Sequence, residues 1–308
     1  MAVTDADVTR AAPRVAVTTA GQRRRIRPAR VLLHAFLIGT CLVWLAPLLW
    51  AVYTSLRPYA DTAERGYVSL PGHLGLSNFT AAWTNAELPR YYLNTLIVAV
   101  PAVLLTLLLA SFIGFAVSRF SWKFNVALLI LFTAGNLLPQ QVIITPLYRM
   151  FLLIPLPTWL NDTGTLYDSY WGIIAIHVAF QVGFCAFVLS NYMRTIPHEL
   201  TEAALVDGAS VWRQYWKIVL PLCRPALAAL ATLEFIFVYN DFFWALVLMQ
   251  SGDKRPITSA LANLEGLYFT DLNLIAAGSL LAAIPTLIVY ITLQRQFVRG
   301  LTLGATKG

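Results

Sequence analysis

Two carboxylates lie inside a long apolar stretch of this chain. Residues 225–250 hold Glu234 and Asp241 as their only charged side chains, and Asn240 stands beside the second of them. An ionised group near the middle of a bilayer costs roughly 2.5 to 3.5 kcal/mol on insertion scales, so such groups should face a cavity or a partner helix. If the stretch is one continuous helix, the two carboxylates share a face and lie about 10 Å apart. They could bind the hydroxyl groups of a polar solute or form interhelical hydrogen bonds, and both roles stay open.

Amides and histidines in other apolar stretches are weaker candidates for a solute path. Amides commonly join helices to one another, so each of them could be structural instead. The candidates are Asn94, Gln140, Gln141 and Gln181. His34 and His177 are single histidines without a second ligand at metal spacing, and we expect both to be packing residues. The sequence therefore predicts neither a metal site nor a catalytic residue.

The composition indicates that these polar residues lie in membrane-spanning helices. Hydrophobic residues make up 58% of the 308 positions and charged residues only 12%, against roughly 25% charged in soluble domains. Six stretches of 23 to 28 residues carry no charge apart from the two carboxylates, and about 20 apolar residues in a helix cross a bilayer. The sequence therefore predicts an all-α, polytopic membrane protein with six transmembrane helices. The stretches are 31–56, 91–118, 124–148, 169–193, 225–250 and 272–294.

The positive charges predict the orientation of these helices. Lys and Arg collect in cytoplasmic loops, and a cytoplasmic N-terminus assigns 16 of the 22 to the inner side and 6 to the outer side. Both termini are then cytoplasmic. The net charge of +7 follows membrane sidedness instead of forming one basic face, which argues against nucleic-acid binding. Residues 1–30 have no apolar period and are expected to form a disordered, basic cytosolic arm before an uncleaved first span.

One predicted inner loop, residues 194–221, carries strong local folding signals. Pro197 suits the first position of a helix, and Gly208 suits the left-handed residue that ends one. Ser210 can cap a second short helix, which Pro221 ends or connects to the fifth span. The loop is therefore predicted to be a helix-turn-helix at the membrane face. Aromatic side chains on its second helix could also lie in the headgroup layer.

The spacing within this loop matches a known motif. Glu202-Ala203-Ala204 is followed by three residues, Gly208, nine residues and Ile218-x-Leu220-Pro221. This pattern resembles the E-A-A-x3-G-x9-I-x-L-P loop in the permease subunits of binding-protein-dependent ABC importers.

The resemblance implies a type I ABC importer permease fold, in which the loop docks as a coupling helix in a cleft of the ATPase subunit. It implies that Glu202 pairs with a basic residue of the ATPase and that Gly208 permits a tight turn. It also implies that the two alanines let backbones approach closely. The implied ATPase-coupling residues are Glu202, Ala203, Ala204, Asp207, Gly208, Ile218, Leu220 and Pro221.

Other segments are similar to the sugar-uptake branch of this family. The chain end from Gln294 to Gly308 resembles the tail of the maltose-type inner permease, which reaches between the two ATPase subunits. A frayed basic terminus is the alternative. Weaker similarities are N-T-L from Asn94, L-P-Q-Q-V-I-I-T-P-L-Y from Leu138 and Y-N-D-F-F-W-A-L from Tyr239.

The chain also departs from the family pattern. Tyr239 and Ala245 stand where the family has a Trp before the Asn and a Pro after the aromatic residues. The outer segment 154–169 is longer than usual. These departures bear on which sugar is carried and leave the transporter class unchanged.

The resemblance implies a transmembrane permease subunit of an ATP-driven sugar importer in a bacterial inner membrane, forming half of the translocation path. Its implied partners are a second permease, two ATPase subunits that bind ATP and Mg, an extracytoplasmic solute-binding protein, the sugar and the lipid bilayer. The sequence has no G-x-x-x-x-G-K-[ST] phosphate loop, so neither a cofactor nor ATPase activity is expected in the chain itself.

Two alternatives remain beside this reading. One is a permease for a non-sugar solute such as glycerol phosphate. The other is an ion-coupled secondary transporter, although the sequence has no repeated half. The implied domains are the arm 1–30, the permease domain 31–297 and the cytosolic tail 298–308.

Overall fold

The structure, a computed structural model, describes residues 28–85, 87–135, 139–261 and 270–302, with side chains up to Gln294. Most of these residues are helical, and an isolated bridge joins Pro155 to Thr165. Residues 1–27 of the predicted arm 1–30 lie outside the described residues. The first helix begins at Pro28, within the predicted arm. Within the predicted tail 298–308, the last helix continues to Thr302, and residues 303–308 lie outside the described residues.

Fourteen α-helices follow one another along the described residues. A 3₁₀ turn, Gln140–Ile143, precedes α6, and a π-helical turn, Tyr215–Val219, lies between α9 and α10. The helices are α1 (Pro28–Ser55), α2 (Tyr59–Arg65), α3 (Ser77–Thr84), α4 (Leu88–Arg119), α5 (Asn125–Ala134), α6 (Ile144–Leu153), α7 (Tyr170–Arg194), α8 (Glu199–Val206), α9 (Val211–Gln214), α10 (Leu220–Leu222), α11 (Arg224–Tyr239), α12 (Phe243–Leu248), α13 (Ile257–Ala260) and α14 (Leu272–Thr302).

Four helical segments are long and apolar enough to cross a membrane, namely α1, α4, α7 and Leu272–Gln294 of α14. Val211–Leu222 and α11 meet at a bend of 73°. If the two segments are counted together as one broken span, the total is five. The all-α membrane architecture is therefore confirmed, whereas a count of six spans is not reached among the described residues. The third predicted stretch is divided between α5 and α6, and the fifth is divided between α11 and α12.

The chain divides into two compact units, Met1–Leu48 and Leu49–Gly308. In the first unit, the described part of α1 exposes its side chains all round and is almost entirely apolar. A helix that is apolar on every side belongs in lipid or in a protein core. This part of α1 is therefore suited to contact lipid or another subunit.

In the second unit, α4 and α7 pack closely because small residues line their contact. A Cβ atom added at Gly114 would lie 3.1 Å from the backbone nitrogen of Ser190 and 3.2 Å from Cβ of Leu189. Ala110 and Ala186 are fully buried nearby in the same core cluster. Small residues at a helix contact let backbones approach in membrane proteins, so this pair gives a fixed frame for the elements attached to it.

Segment 154–169, which the sequence predicts to lie on the outer side, has a defined conformation in which several polar groups are paired. The side-chain amide of Asn161 donates to the carbonyl oxygens of Thr165 and Tyr167 at 2.7 and 2.9 Å. The carboxylate of Asp168 accepts the backbone N–H groups of residues 250 and 251 at 2.9 and 3.0 Å. The segment is therefore bonded to the connection that follows α12.

Candidate functional site

The predicted coupling loop begins with α8, which ends as the sequence indicates. Gly208 has a φ of +74°, in the left-handed region that glycine adopts without a steric penalty. Its N–H donates to the carbonyl oxygen of Leu205 at 3.0 Å, and the N–H of Ala209 donates to that of Ala204 at 2.8 Å. This pair of bonds is a Schellman motif, which satisfies carbonyl groups that a helix end leaves free. Gly208 therefore sets the direction in which the chain leaves α8.

The α8 helix has an exposed side and a buried side. Ala204 is buried, whereas the exposed residues are Glu199, Leu200, Glu202, Ala203, Leu205 and Val206, with Asp207 directly after the helix. Glu202 lies in the first turn, where a negative charge interacts favourably with the helix dipole. Apolar side chains that are exposed beside an acidic residue suit contact with another protein.

The second helix of the loop is attached to α4 through aromatic residues. The Ser210 hydroxyl caps α9 by accepting the backbone N–H three residues later at 3.3 Å. The hydroxyl groups of Tyr215 and Ser111 share a hydrogen bond of 2.6 Å. The ring of Phe112 lies 4.9 Å from the Tyr215 ring and 5.7 Å from that of Trp212. The aromatic residues thus pack on α4 and do more than line a headgroup layer.

The end of α4 also holds the start of the loop. The guanidinium group of Arg119 donates to the carbonyl oxygens of Met193 and Ile196, each at 3.2 Å. These two residues are where α7 ends and the loop begins. The loop is therefore attached to α4 at two separate places.

A widened turn and a bend connect the loop to α11. The N–H of Leu220 donates to the carbonyl oxygen of Tyr215, five residues earlier. Pro221 has no N–H, and its ring crowds the preceding turn, which accounts for the π-helical geometry. Ile218, Leu220 and Pro221 are half-buried. The second half of the motif therefore forms the bend, while the first half forms the exposed surface.

The fifth predicted stretch contains a helix break that was not predicted. Helix α11 ends at Tyr239, and α12 begins at Phe243. Glu234 and Asp241 therefore do not share a face of one continuous helix, and that expectation is wrong. The physical reason is that the polar side chains at 240 and 241 can stabilise helix ends, and residue type alone does not separate that role from solute binding.

The carboxylate of this pair satisfies backbone N–H groups at the start of α12, whereas the amide adds a second bond to a carbonyl group that the end of α11 already pairs. The amide nitrogen Nδ2 of Asn240 donates to the carbonyl oxygen of Ile236 at 2.8 Å. The carboxylate of Asp241 accepts the backbone N–H groups of Trp244 at 3.3 Å and Ala245 at 3.1 Å. Phe242 holds the N-cap position of α12 and its side chain makes no capping bond, so Asp241, one residue earlier, supplies the acceptors. Asp241 therefore stabilises the start of α12.

Two of the predicted path residues are engaged inside the helix bundle. Glu234 is 1% exposed and accepts a hydrogen bond from the Cys185 thiol at 3.2 Å. Asn94 is also buried and accepts a hydrogen bond from the Tyr170 hydroxyl at 2.7 Å. Its amide nitrogen donates to two backbone carbonyl groups after α12, at 2.8 and 3.0 Å. The contacts with Cys185 and Tyr170 are interhelical hydrogen bonds, which the sequence leaves open as the alternative to solute binding.

Four of the other five path candidates meet at a cavity of about 520 Å³ between α7 and the α11–α12 break. They are Asn240, Asp241, Gln181 and Gln140 of the 3₁₀ turn, whereas Gln141 is exposed and does not line the cavity. Aromatic rings form much of the remaining wall, and those of Phe180 and Trp244 lie 5.5 Å apart. The other lining residues are His177, Ile236, Phe237, Phe242 and Phe243.

His177 lines this cavity, although its sequence context predicted a packing residue. The residue is 6% exposed, and its Nε2 lies 3.6 Å from Oδ2 of Asp241. No local pattern could have indicated this pair, because it joins α7 to a segment much further along the chain. The asparagine and aspartate at the break, in contrast, are a local N-cap signal before an apolar run.

The sequence is similar to known transport proteins. Residues 102–302 match the family described as binding-protein-dependent transport system inner membrane component. The diacetylchitobiose uptake system permease protein NgcG of Streptomyces coelicolor is 30% identical over 273 residues, which cover 88% of this chain and 87% of the relative. The melibiose/raffinose/stachyose import permease protein MelC of Bacillus subtilis is 30% identical over 83% of this chain and 88% of the relative.

The fold is similar to that of a solved transporter. A crystal structure of a bacterial ABC transporter involved in the import of the acidic polysaccharide alginate matches with a TM-score of 0.72. The match covers 87% of this chain and 96% of that chain at 22% identity, so it shows the fold alone. The family match includes the coupling loop, α7 and the α11–α12 break, and the predicted resemblance is confirmed. This chain belongs to the inner membrane components of binding-protein-dependent transport systems.

Proposed function

We propose that this chain is the permease subunit of an ATP-driven importer for sugars and forms half of the translocation path beside a second, related permease. The cavity at the α11–α12 break carries the proposal, because amide groups and aromatic rings converge there. Amides donate to and accept from hydroxyl groups, and cavities with a few polar groups among aromatic walls are typical binding sites for small molecules. The import of oligosaccharides named for two relatives supports sugars as the substrate class.

The helix break supports a position for this cavity on the path. Non-helical backbone at membrane depth is tolerated where it is buried in protein or lines a water-filled cavity. Here Asp241 satisfies two backbone N–H groups at the start of α12, and the break still lines the cavity. Asn240 and Gln181 then offer amide groups to a sugar, while Asp241 shapes the break.

The attachment of the coupling loop supports its role in transmission. Two separate ATPase subunits bind ATP and Mg, and their closure moves the exposed side of α8, with Glu202 paired to a basic residue there. Arg119 and Ser111 join the loop to α4, and the Pro221 bend joins it to α11. Movement of the loop is therefore passed to the helices around the cavity, which opens outward on closure and inward after hydrolysis.

Delivery from outside completes the proposal. Both termini are cytoplasmic, and an extracytoplasmic solute-binding protein presents the sugar at the opposite side. A solved bacterial alginate transporter, 19% identical to this chain, is seen in complex with an alginate pentasaccharide-bound periplasmic protein. That assembly supports the same arrangement of partners here.

The test is to assemble the complex in proteoliposomes and measure ATP hydrolysis and uptake with diacetylchitobiose, melibiose and raffinose, each with the solute-binding protein. At least one of them should stimulate hydrolysis and accumulate only when ATP is present. Glycerol phosphate is the comparison solute, and its uptake in place of the sugars would favour the non-sugar alternative. Accumulation driven by an ion gradient without ATP would overturn the ATP-driven class.

A further inference from the structure

The imidazole of His177 is a buried polar group in the cavity wall. Its Nε2 has no hydrogen-bond partner among the described residues, and the residue is 6% exposed. Oδ2 of Asp241 lies 3.6 Å from this nitrogen, just beyond hydrogen-bond distance. A buried polar atom without a partner is rare in folded proteins and calls for a specific explanation.

Asp241 is held in place without His177. Both of its carboxylate oxygens accept backbone N–H groups of α12, and its carbonyl oxygen accepts the hydroxyl group of Thr258. The acceptor atom Oδ2 is therefore fixed beside Nε2, and an acceptor in that place favours the imidazole tautomer with its proton on Nε2. In the neutral form with that proton, Nδ1 is the hydrogen-bond acceptor.

We propose that His177 is a substrate-binding residue of the cavity, whose Nδ1 accepts a hydrogen bond from a sugar hydroxyl while Asp241 positions the imidazole. The inference rests on the proposed function and adds one residue to the same site. Residues four apart on a helix share a face, so His177 and Gln181 present an acceptor and an amide from the same side of α7. The rings of Phe180 and Trp244 supply the apolar wall beside them.

Three substitutions separate the two ring nitrogens. An asparagine amide reaches about as far as Nδ1, and a glutamine amide reaches about as far as Nε2, whereas phenylalanine keeps the ring and removes both nitrogens. Uptake of melibiose, raffinose and diacetylchitobiose is measured together with ATP hydrolysis and the amount of assembled complex, on one preparation of each variant. Asn191→Leu is the matched control, because it removes an exposed amide from the same helix outside the cavity lining.

We expect His177→Phe and His177→Gln to lower sugar uptake per ATP hydrolysed by about tenfold or more, since an unmade hydrogen bond in a binding site strongly affects discrimination. His177→Asn should stay within about threefold of the wild type, and assembly should be unchanged in all three variants. The Asn191→Leu control should transport normally.

Several results would overturn this role for His177. Rescue by Gln and not by Asn would show that His177 acts only through Asp241, and wild-type uptake in all three variants would remove it from the site. Loss of assembled complex in all three variants, Asn included, would assign His177 to folding. If the wild-type complex takes up none of the sugars, the proposed function itself is overturned, which is a distinct result.

Discussion

Gly208 allows a quantitative test of the coupling loop, because the structure isolates one physical effect there. Its φ of +74° is in a region that L-residues rarely adopt, and a Cβ atom added to it would meet nothing within 4 Å. A substitution therefore adds backbone strain without a steric clash. For an ordinary L-residue this strain is about 1 to 2 kcal/mol, and it opposes the Schellman turn that directs the chain from α8 to α9.

If the ATPase binds only the formed turn, Gly208→Ala should weaken its binding by about 5- to 30-fold, since 1.4 kcal/mol corresponds to tenfold. Gly208→Val should weaken binding more, because β-branched residues are the least tolerant of positive φ. Gly208→Asn should weaken binding least, because Asn visits this region most readily among the other residues. The order Gly, Asn, Ala, Val is therefore expected for ATPase affinity, and uptake should follow it.

The assay is co-purification of the ATPase with the permease over a range of ATPase concentrations, with membrane insertion measured in parallel. Gly164→Ala is the matched control, since Gly164 has a φ of +67°, nothing within 4 Å of an added Cβ and a place in the outer segment. Its ATPase affinity should equal that of the wild type. The reasoning is refuted if Asn is as damaging as Val, if Ala changes affinity by less than about twofold, or if Gly164→Ala lowers it equally.

Three further predictions follow from other parts of the chain. Glu202→Ala should insert normally but lose sugar uptake, whereas Glu199→Ala, also exposed on α8, should retain uptake; equal uptake in both would contradict the assigned ATPase contact. Cysteines at Val68 and Gly252, both exposed, should react with an impermeant thiol reagent from outside and one at Ser210 should not, while the reverse labelling would invert the orientation. Asp241→Ala should reduce the assembled complex by removing a helix cap worth about 1 kcal/mol, and Asp241→Asn should largely restore it; full assembly in the Ala variant would show that the cap is dispensable.

The coupling loop could be predicted in detail because its folding signals act over a few residues. Gly208 ends α8 in a left-handed conformation, and Ser210 caps α9, as expected from the residue types. Pro221 lies at the bend that was anticipated as an ending or a connection. Contacts of this range depend on backbone geometry that each residue type fixes by itself.

The long spans could be predicted only as apolar stretches, since composition does not say where a helix breaks. Hydrophobicity continues through the fifth stretch, and yet α11 and α12 are separate helices. Asp241 reduces the cost of interrupting a helix in an apolar region, because its carboxylate accepts two N–H groups at the start of α12. The sequence predicts this side chain only as a solute ligand or as a partner in an interhelical hydrogen bond.

Partners in distant helices set the roles of the remaining polar residues. Glu234 is engaged by Cys185 of α7, and Asn94 by Tyr170 of the same helix. Residue type and depth predicted that each needs a polar environment, but the identity of the partner depends on how α4, α7 and α11 pack. His177 differs from these two residues, because the sequence predicts only a packing role for it. Its place beside Asp241 follows from the helix packing alone.

The connection after α12 links features that lie far apart in the sequence. Its backbone is bonded to Asp168 of the outer segment and to Asn94 of α4, and Thr258, in α13 at its end, donates to the carbonyl oxygen of Asp241 at the cavity. Removing Asp168 would take away the acceptor of two N–H groups of the connection, and removing Asn94 would take away the donor to two of its carbonyl groups. One short stretch of chain therefore joins segment 154–169 to the helix break, and its bonds to Asn94 fix the same stretch to α4.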